Sequence, residues 1–262
     1  MNRRSFAVFV LATMVFLASA HSAPKTLKVG ATPVPHAELL NLVKGELAAQ
    51  GIDLQIIEFT DYVTPNIALA ERQLDANFFQ HLPYLESFAG ERRLSLESVV
   101  GVHLEPLGLY SKKYRSVADL PTGAAIGIPN DPTNEGRALI LLQSKGLIKL
   151  KANAGLKATV KDIASNPRKF VFKELEAALL PRSLSDVAAS IINGNYALES
   201  GLNPVRDALF LEGGESPYAN ILVVRKGEAK DPRIAALAAA LTSAKVRDFI
   251  LANYGGGVVP AF

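Results

Sequence analysis

The 262 residues contain no cysteine and no tryptophan. Without cysteine there are no disulfides, no thiolate metal sites, no cysteine nucleophile and no sulfur to carry a lipid. Charge of one sign is scarce: 28 basic against 25 acidic residues leave a formal +3. That is too little to imply a nucleic-acid partner. After the first twenty residues no stretch approaches the roughly 18 apolar residues of a membrane span. Internal repeats and low-complexity tracts are missing. So are Gly-x-Ser-x-Gly, the P-loop and Gly-x-Gly-x-x-Gly, so no motif-borne hydrolase, nucleotidase or dinucleotide site is indicated. What remains is 49% apolar and 20% charged, a globular composition with length for one large domain or two small ones.

The first twenty residues stand apart. Arg3 and Arg4 precede an apolar run over 6–17, and Ala18-Ser19-Ala20 places small residues at −3 and −1 of a cleavage site. This is the pattern of a secretory signal peptide. About 12 apolar residues are too few against the roughly 20 a spanning helix needs. Cleavage near Ala20 is expected, and it removes two arginines and no acid.

The rest alternates strand and helix patterns. Strands are predicted at 26–29, 54–59, 99–104, 109–112, 124–128, 170–175, 190–192 and 221–225. Helices are predicted at 36–50, 65–72, 82–88, 133–145, 179–184, 196–200, 234–241 and 246–254. In the first helix Leu39, Leu40, Val43 and Leu47 share one face, and Gly51 stops it. The pattern is α/β, with parallel sheets covered by helices. Two turn-rich segments suit crossings between lobes: Glu105-Pro106-Leu107-Gly108 and Ser216-Pro217-Tyr218-Ala219-Asn220. The lobes would then be 21–107 with 221–262, and 108–220.

Few positions could carry chemistry. Asn130-Asp131-Pro132-Thr133-Asn134-Glu135-Gly136-Arg137 joins a strand to a helix, with Asp131 or Thr133 as cap. Arg137 lies in the first turn, where a cation opposes the helix dipole by a few tenths of a kcal/mol unless an anion is near. Free N–H groups and a guanidinium there make a carboxylate site; the alternative is a solvated arginine or one paired with Asp131. Tyr62, Phe79, His81 and Tyr84 lie in two aromatic-rich turns that could wall an apolar slot for a flat or polarizable guest such as a thioether. Core packing is the other reading, since Phe78 and Phe79 point to opposite faces. Asn193, Asn195 and Asn220 offer amides at strand ends, although Asn-Gly is also a common turn dipeptide. His36, His81 and His103 lack the close helical spacing of a preformed metal pair. Gly255-Gly256-Gly257 reads as a turn.

The motifs resemble a known family. They are Val-Gly-Ala-Thr-Pro at 29–33, Glu-Phe-Thr-Asp-Tyr at 58–62 and Asp-Ala-Asn-Phe-Phe-Gln-His-Leu-Pro-Tyr-Leu at 75–85. Further along stand Gly-Leu-Tyr-Ser-Lys-Lys-Tyr at 108–114 and Ile-Pro-Asn-Asp-Pro-Thr-Asn-Glu-Gly-Arg-Ala-Leu at 128–139. Ile-Asn-Gly-Asn-Tyr-Ala at 192–197 and Ser-Pro-Tyr-Ala-Asn at 216–220 complete the set. In this order they resemble the methionine-binding substrate-binding proteins of ABC transporters, the NlpA/MetQ family.

The resemblance implies an α/β, two-lobed periplasmic-binding-protein fold of type II-like form, with the ligand in the interlobe cleft. It implies no enzyme, no cofactor and no metal. The expected ligand is methionine (L- or D-), a methionine-containing dipeptide or another apolar amino acid. The expected partner is an ABC permease with its ATPase, engaged transiently. By the resemblance, Tyr62, Phe79, His81 and Tyr84 form the side-chain pocket and Arg137 clamps the carboxylate. Asn193 and Asn220 anchor the head group, and Asn195 is a weaker member. Many relatives carry a lipidated cysteine at the mature N-terminus; here a soluble periplasmic protein without a lipid anchor is expected. Leu107 stands where relatives often have Met. A small exported hydrolase and a metal-binding receptor are the other classes considered.

Overall fold

The computed structural model describes residues 25–213 and 217–262. The expected signal peptide, its cleavage site and Ser216 lie outside the described residues.

Two sheets organise the chain. The first runs, edge to edge, Val259–Pro260, Leu96–Leu104, Asn220–Arg225, Ala76–His81, Lys25–Ala31 and Ile52–Glu58. The second runs Ala208–Leu211, Gly108–Tyr110, Ala189–Ile192, Ala125–Pro129 and Val171–Leu175. The chain leaves the first sheet after Leu104 and enters the second at Gly108. It leaves the second after Leu211 and re-enters the first at Asn220.

The sheets are mixed, not parallel as the alternation suggested. Lys25–Ala31 lies parallel to both neighbours, with Val29 opposite Ile56 and Ala76. Asn220–Arg225 runs antiparallel to Ala76–His81 and Leu96–Leu104. In the second sheet Gly108–Tyr110 runs antiparallel to both neighbours. Parallel pairs come from strand–helix–strand units. A strand that arrives from the other sheet has no such crossover helix and here enters in the opposite sense.

Each sheet has its own core. Leu39, Leu40, Val43 and Leu47 of the helix Glu38–Ala49 pack with Leu27, Val29 and Phe78. The C-terminal helices Pro232–Leu241 and Ala244–Asn253 join the same cluster through Ile234, Leu237, Val246 and Ile250. In the second lobe Leu139 and Leu142 of the helix Pro132–Ser144 pack with Leu107, Leu109, Ile126 and Ile128. Burying a leucine is worth about 1.5–3 kcal/mol, so each lobe holds a core of its own.

Some short elements carry no period to read. The hairpin of Lys149–Leu150 with Ile163–Ser165 and the edge strands Ala208–Leu211 and Val259–Pro260 are of this kind. The strand predicted at 109–112 ends at Tyr110, because the Ser111 hydroxyl accepts from the N–H groups of Lys113 and Tyr114 and turns the chain.

Candidate ligand-binding site

The site grows from strand ends where the two sheets meet. Ala76–His81 is buried along its whole length. Phe78 faces the core and Phe79 the cleft. The strand end is fixed by buried amides: Gln80 Nε2 donates to Asn66 Oδ1 (2.7 Å) and to Asn77 Oδ1 (2.9 Å). His81 then caps the helix Leu82–Arg92, its Nδ1 accepting from the Tyr84 N–H at 3.1 Å. That bond places the imidazole proton on Nε2, which faces Asn134 Oδ1 at 3.3 Å. Burial, then the nearby Arg137 charge, lowers the His81 pKa to about 3. His81 is therefore a neutral donor at ordinary pH.

Opposite stands the helix Pro132–Ser144. Asp131 caps it by accepting from the Asn134 N–H at 2.9 Å. Gly136 is required there: a Cβ would lie 2.1 Å from the Leu156 carbonyl oxygen. The same close packing seats Arg137, which lies in the second turn of the helix rather than the first and is neither solvated nor paired with Asp131. Its Nε lies 3.0 and 3.1 Å from the two Glu212 carboxylate oxygens, and Nη2 also meets Glu212. Nη2 further donates to the Glu105 carbonyl at 2.9 Å. The Tyr218 ring lies against the guanidinium, 4.3 Å from Cζ to centroid. Nη1 donates to no described residue.

Asn193 is the N-cap residue of the helix Gly194–Glu199, yet its side chain makes no cap bond. Instead Nδ2 donates to Asn134 Oδ1 at 3.0 Å. Among the described residues, Asn193 Oδ1 and Asn195 Nδ2 are buried without a partner. Buried polar groups are normally paired, so an acceptor and a donor stand ready for a guest. Gly194 lets this turn approach Glu105, since a Cβ would lie 2.6 Å from the Glu105 Cβ.

An aromatic wall closes the other side. Tyr62 lies 6.0 Å from Phe79, 5.9 Å from Tyr84 and 5.0 Å from Tyr196, centroid to centroid. Tyr84 Oη donates to the Tyr62 carbonyl at 2.8 Å and Tyr62 Oη to Asn195 Oδ1 at 2.5 Å. Burial raises the pKa of both phenols, so both keep their protons.

All eight residues singled out from the sequence line one cavity of about 340 Å³: Tyr62, Phe79, His81, Tyr84, Arg137, Asn193, Asn195 and Asn220. Gln80, Glu105, Asn134 and Gly194 complete the lining. The last four stood in segments read from the sequence but were not assigned to a site. Glu212 had no local signal at all, being 75 residues from Arg137 in sequence.

Glu105 joins the pocket to a buried chain. Its Oε1 lies 2.7 Å from His103 Nε2, 3.4 Å from His36 Nε2 and 3.4 Å from Asn220 Nδ2. Burial lowers the pKa of His36 to about 4 and of His103 to about 3. Burial raises that of Glu105, against the pull of His36 and Arg137. These three residues are the one metal-capable group among the described residues. Two ligands on a tetrahedral zinc stand about 3.3 Å apart. The His103–Glu105 contact at 2.7 Å is a hydrogen bond.

Two lobes meeting over an aromatic and amide-lined cavity define a substrate-binding protein. The family model described as NlpA lipoprotein matches residues 27–262. The chain belongs to this family. It is 42% identical to the methionine-binding lipoprotein MetQ of Bacillus subtilis, over 92% of this chain and 90% of that one. Its structure resembles that of a nutrient binding protein from Burkholderia cenocepacia bound to methionine: TM-score 0.87, 47% identity, covering 90% of this chain and 100% of that one. It also resembles an ABC transporter periplasmic substrate-binding protein from Coxiella burnetii: TM-score 0.86, 46% identity, covering 90% and 100%.

Proposed function

We propose that this protein captures methionine, or a closely related amino acid or methionine-containing dipeptide, in the interlobe cavity and delivers it to an ABC importer. One observation carries the reading: in a chain of this family, one cavity pairs an aromatic wall with a guanidinium and unpaired amides. A zwitterion loses its hydration on entering such a cavity and must be repaid in hydrogen bonds. Arg137 Nη1 serves the carboxylate. Asn193 Oδ1, supported by Asn220 and Glu105, serves the ammonium. Tyr62, Phe79 and Tyr84 serve the side chain, with S–aromatic contacts worth about 0.3–1.5 kcal/mol.

The reading is binding without turnover. Among the described residues, no serine, threonine or cysteine lines the cavity, and His81 Nδ1 is occupied by a backbone N–H. We take 21–107 with 221–262 as one lobe and 108–220 as the other. Tyr62 to Asn195, Tyr196 to Thr60 and His81 to Asn134 then cross between them. A ligand gripped from both sides shifts the balance toward such a closed form.

The place of work is the periplasm after signal-peptide removal. Relatives are named lipoproteins. The 262 residues offer no cysteine for such a lipid, and no described helix is long and apolar enough to cross a membrane. Release from cells by osmotic shock, without detergent, tests this placement. Mass spectrometry of the ligand freed by denaturing the purified protein tests the function. Methionine supports the reading, and a bound metal without amino acid overturns it.

A further inference from the structure

The Arg137 guanidinium has five N–H donors, and the described residues take three of them. The Nε–H and one Nη2–H go to Glu212, and the other Nη2–H goes to the Glu105 carbonyl. Tyr218 lies against the flat face. Among the described residues, only the two hydrogens of Nη1 are left without an acceptor, on a residue that lines the cavity. Glu212 does not line that cavity. It sits at the end of the second lobe's edge strand, where its N–H donates to the Leu107 carbonyl at 2.8 Å. A backbone bond thus ties Glu212 to the crossing segment between the lobes.

We propose that Glu212 is a positioning residue for ligand capture: by gripping one edge of Arg137 from outside the cavity, it aims Nη1 at the ligand carboxylate. This rests on the methionine-capture reading above. Two parallel charge-assisted bonds fix both direction and plane of a guanidinium, and a long flexible side chain so fixed loses less freedom when it binds. Glu212 also cancels the arginine charge, so a ligand's carboxylate meets an oriented dipole within a neutral pair. The cavity is thereby suited to a zwitterion and not to a bare anion. An isolated Arg137 would favour any carboxylate equally.

The test is calorimetry of wild type, Glu212→Ala and Glu212→Gln with methionine, with methioninol, which lacks the carboxylate, and with 4-(methylthio)butanoate, which lacks the ammonium. Ligand-free melting curves establish that each variant is folded; the Glu212–Leu107 backbone bond survives both changes. Glu212→Ala is expected to weaken methionine about tenfold or more while changing methioninol less than about twofold. Glu212→Gln, which keeps one acceptor without the charge, falls between. The ratio of methionine to 4-(methylthio)butanoate affinity falls in both variants. Equal losses for methionine and methioninol would make Glu212 merely structural. Unchanged or tighter methionine binding would make it a bystander or a competitor of the ligand. Either result overturns the proposal while wild-type methionine binding stands. If wild type binds no methionine, the functional reading itself fails.

Discussion

Tyr62 Oη and Asn195 Oδ1 meet at 2.5 Å, although 133 residues separate them in sequence. The bond joins a loop that follows an edge strand of the first sheet to the first turn of a helix that follows a strand of the second. It also holds the aromatic wall against the amides. Tyr62→Phe keeps the ring and deletes the bond. It is expected to weaken methionine binding by about 1 kcal/mol, roughly fivefold. Calorimetry checks this; an unchanged affinity would mean that the contact does not support closure.

Arg137→Ala removes the proposed carboxylate clamp and strands Glu212. Breaking a buried pair by removing one partner costs about 3–5 kcal/mol. Glu212 is 15% exposed, so the stability loss is expected at the lower end. Methionine affinity is expected to fall at least about a hundredfold. Titration calorimetry and melting curves on one preparation separate the two effects.

Phe79→Ala opens the side-chain wall. Phe79 is 3% exposed, and truncating a buried phenylalanine costs about 3–5 kcal/mol of stability. Binding is expected to suffer selectively, with methionine losing more than alanine. A parallel loss for both amino acids would place Phe79 outside the side-chain pocket.

Gly136→Ala sets a methyl group where the Leu156 carbonyl already lies. Overpacking of this kind costs about 1–3 kcal/mol. The helix that carries Arg137 must shift, so a lower melting temperature and weaker methionine binding are expected together. A variant with wild-type affinity would separate the loop from the clamp.

Acid is expected to destabilise the protein. Histidine titrates near 6.5 in an unfolded chain, against about 4 for His36 and about 3 for His81 and His103 in the fold. The unfolded chain therefore binds more protons below pH 6.5. The stability is fully present above that pH and is lost as pH falls toward 4, by up to about 1.4 kcal/mol per unit for each imidazole. Glu105 is shifted upward, so its contribution is present at low pH and lost as pH rises through its folded value. Glu135 and Glu199 are shifted the same way, but Glu199 is exposed and the Val160 N–H offsets the burial of Glu135; the three fully buried imidazoles set the sign, and melting at pH 5 is expected below that at pH 7. An equal or higher melting temperature would contradict neutral burial of the histidines.

Local patterns carried much of this. Asp131 and Pro132 announce a helix start, and Leu39, Leu40, Val43 and Leu47 announce a buried face; both signals lie within a few residues and need no partner. The eight pocket residues were legible because their motifs resemble a family, not because spacing alone demanded a site. Glu105 stood in a segment read only as a crossing. Its facing of His36, His103 and the cavity depends on the Leu104–Gly108 path between sheets.

By itself the sequence determined the element types, the two places where the chain could change sheets and the residue kinds available to a zwitterion. These follow from periodicity, turn chemistry and side-chain inventory, which are local. Only the tertiary structure decided that the sheets are mixed, that Arg137 is held by Glu212, and that Asn193 leaves its own helix uncapped to face the cavity. Those are contacts across 59 to 75 residues. They exist because two separate cores fold back on each other and bury polar groups that must find partners, and nothing in a local pattern says which partner they find.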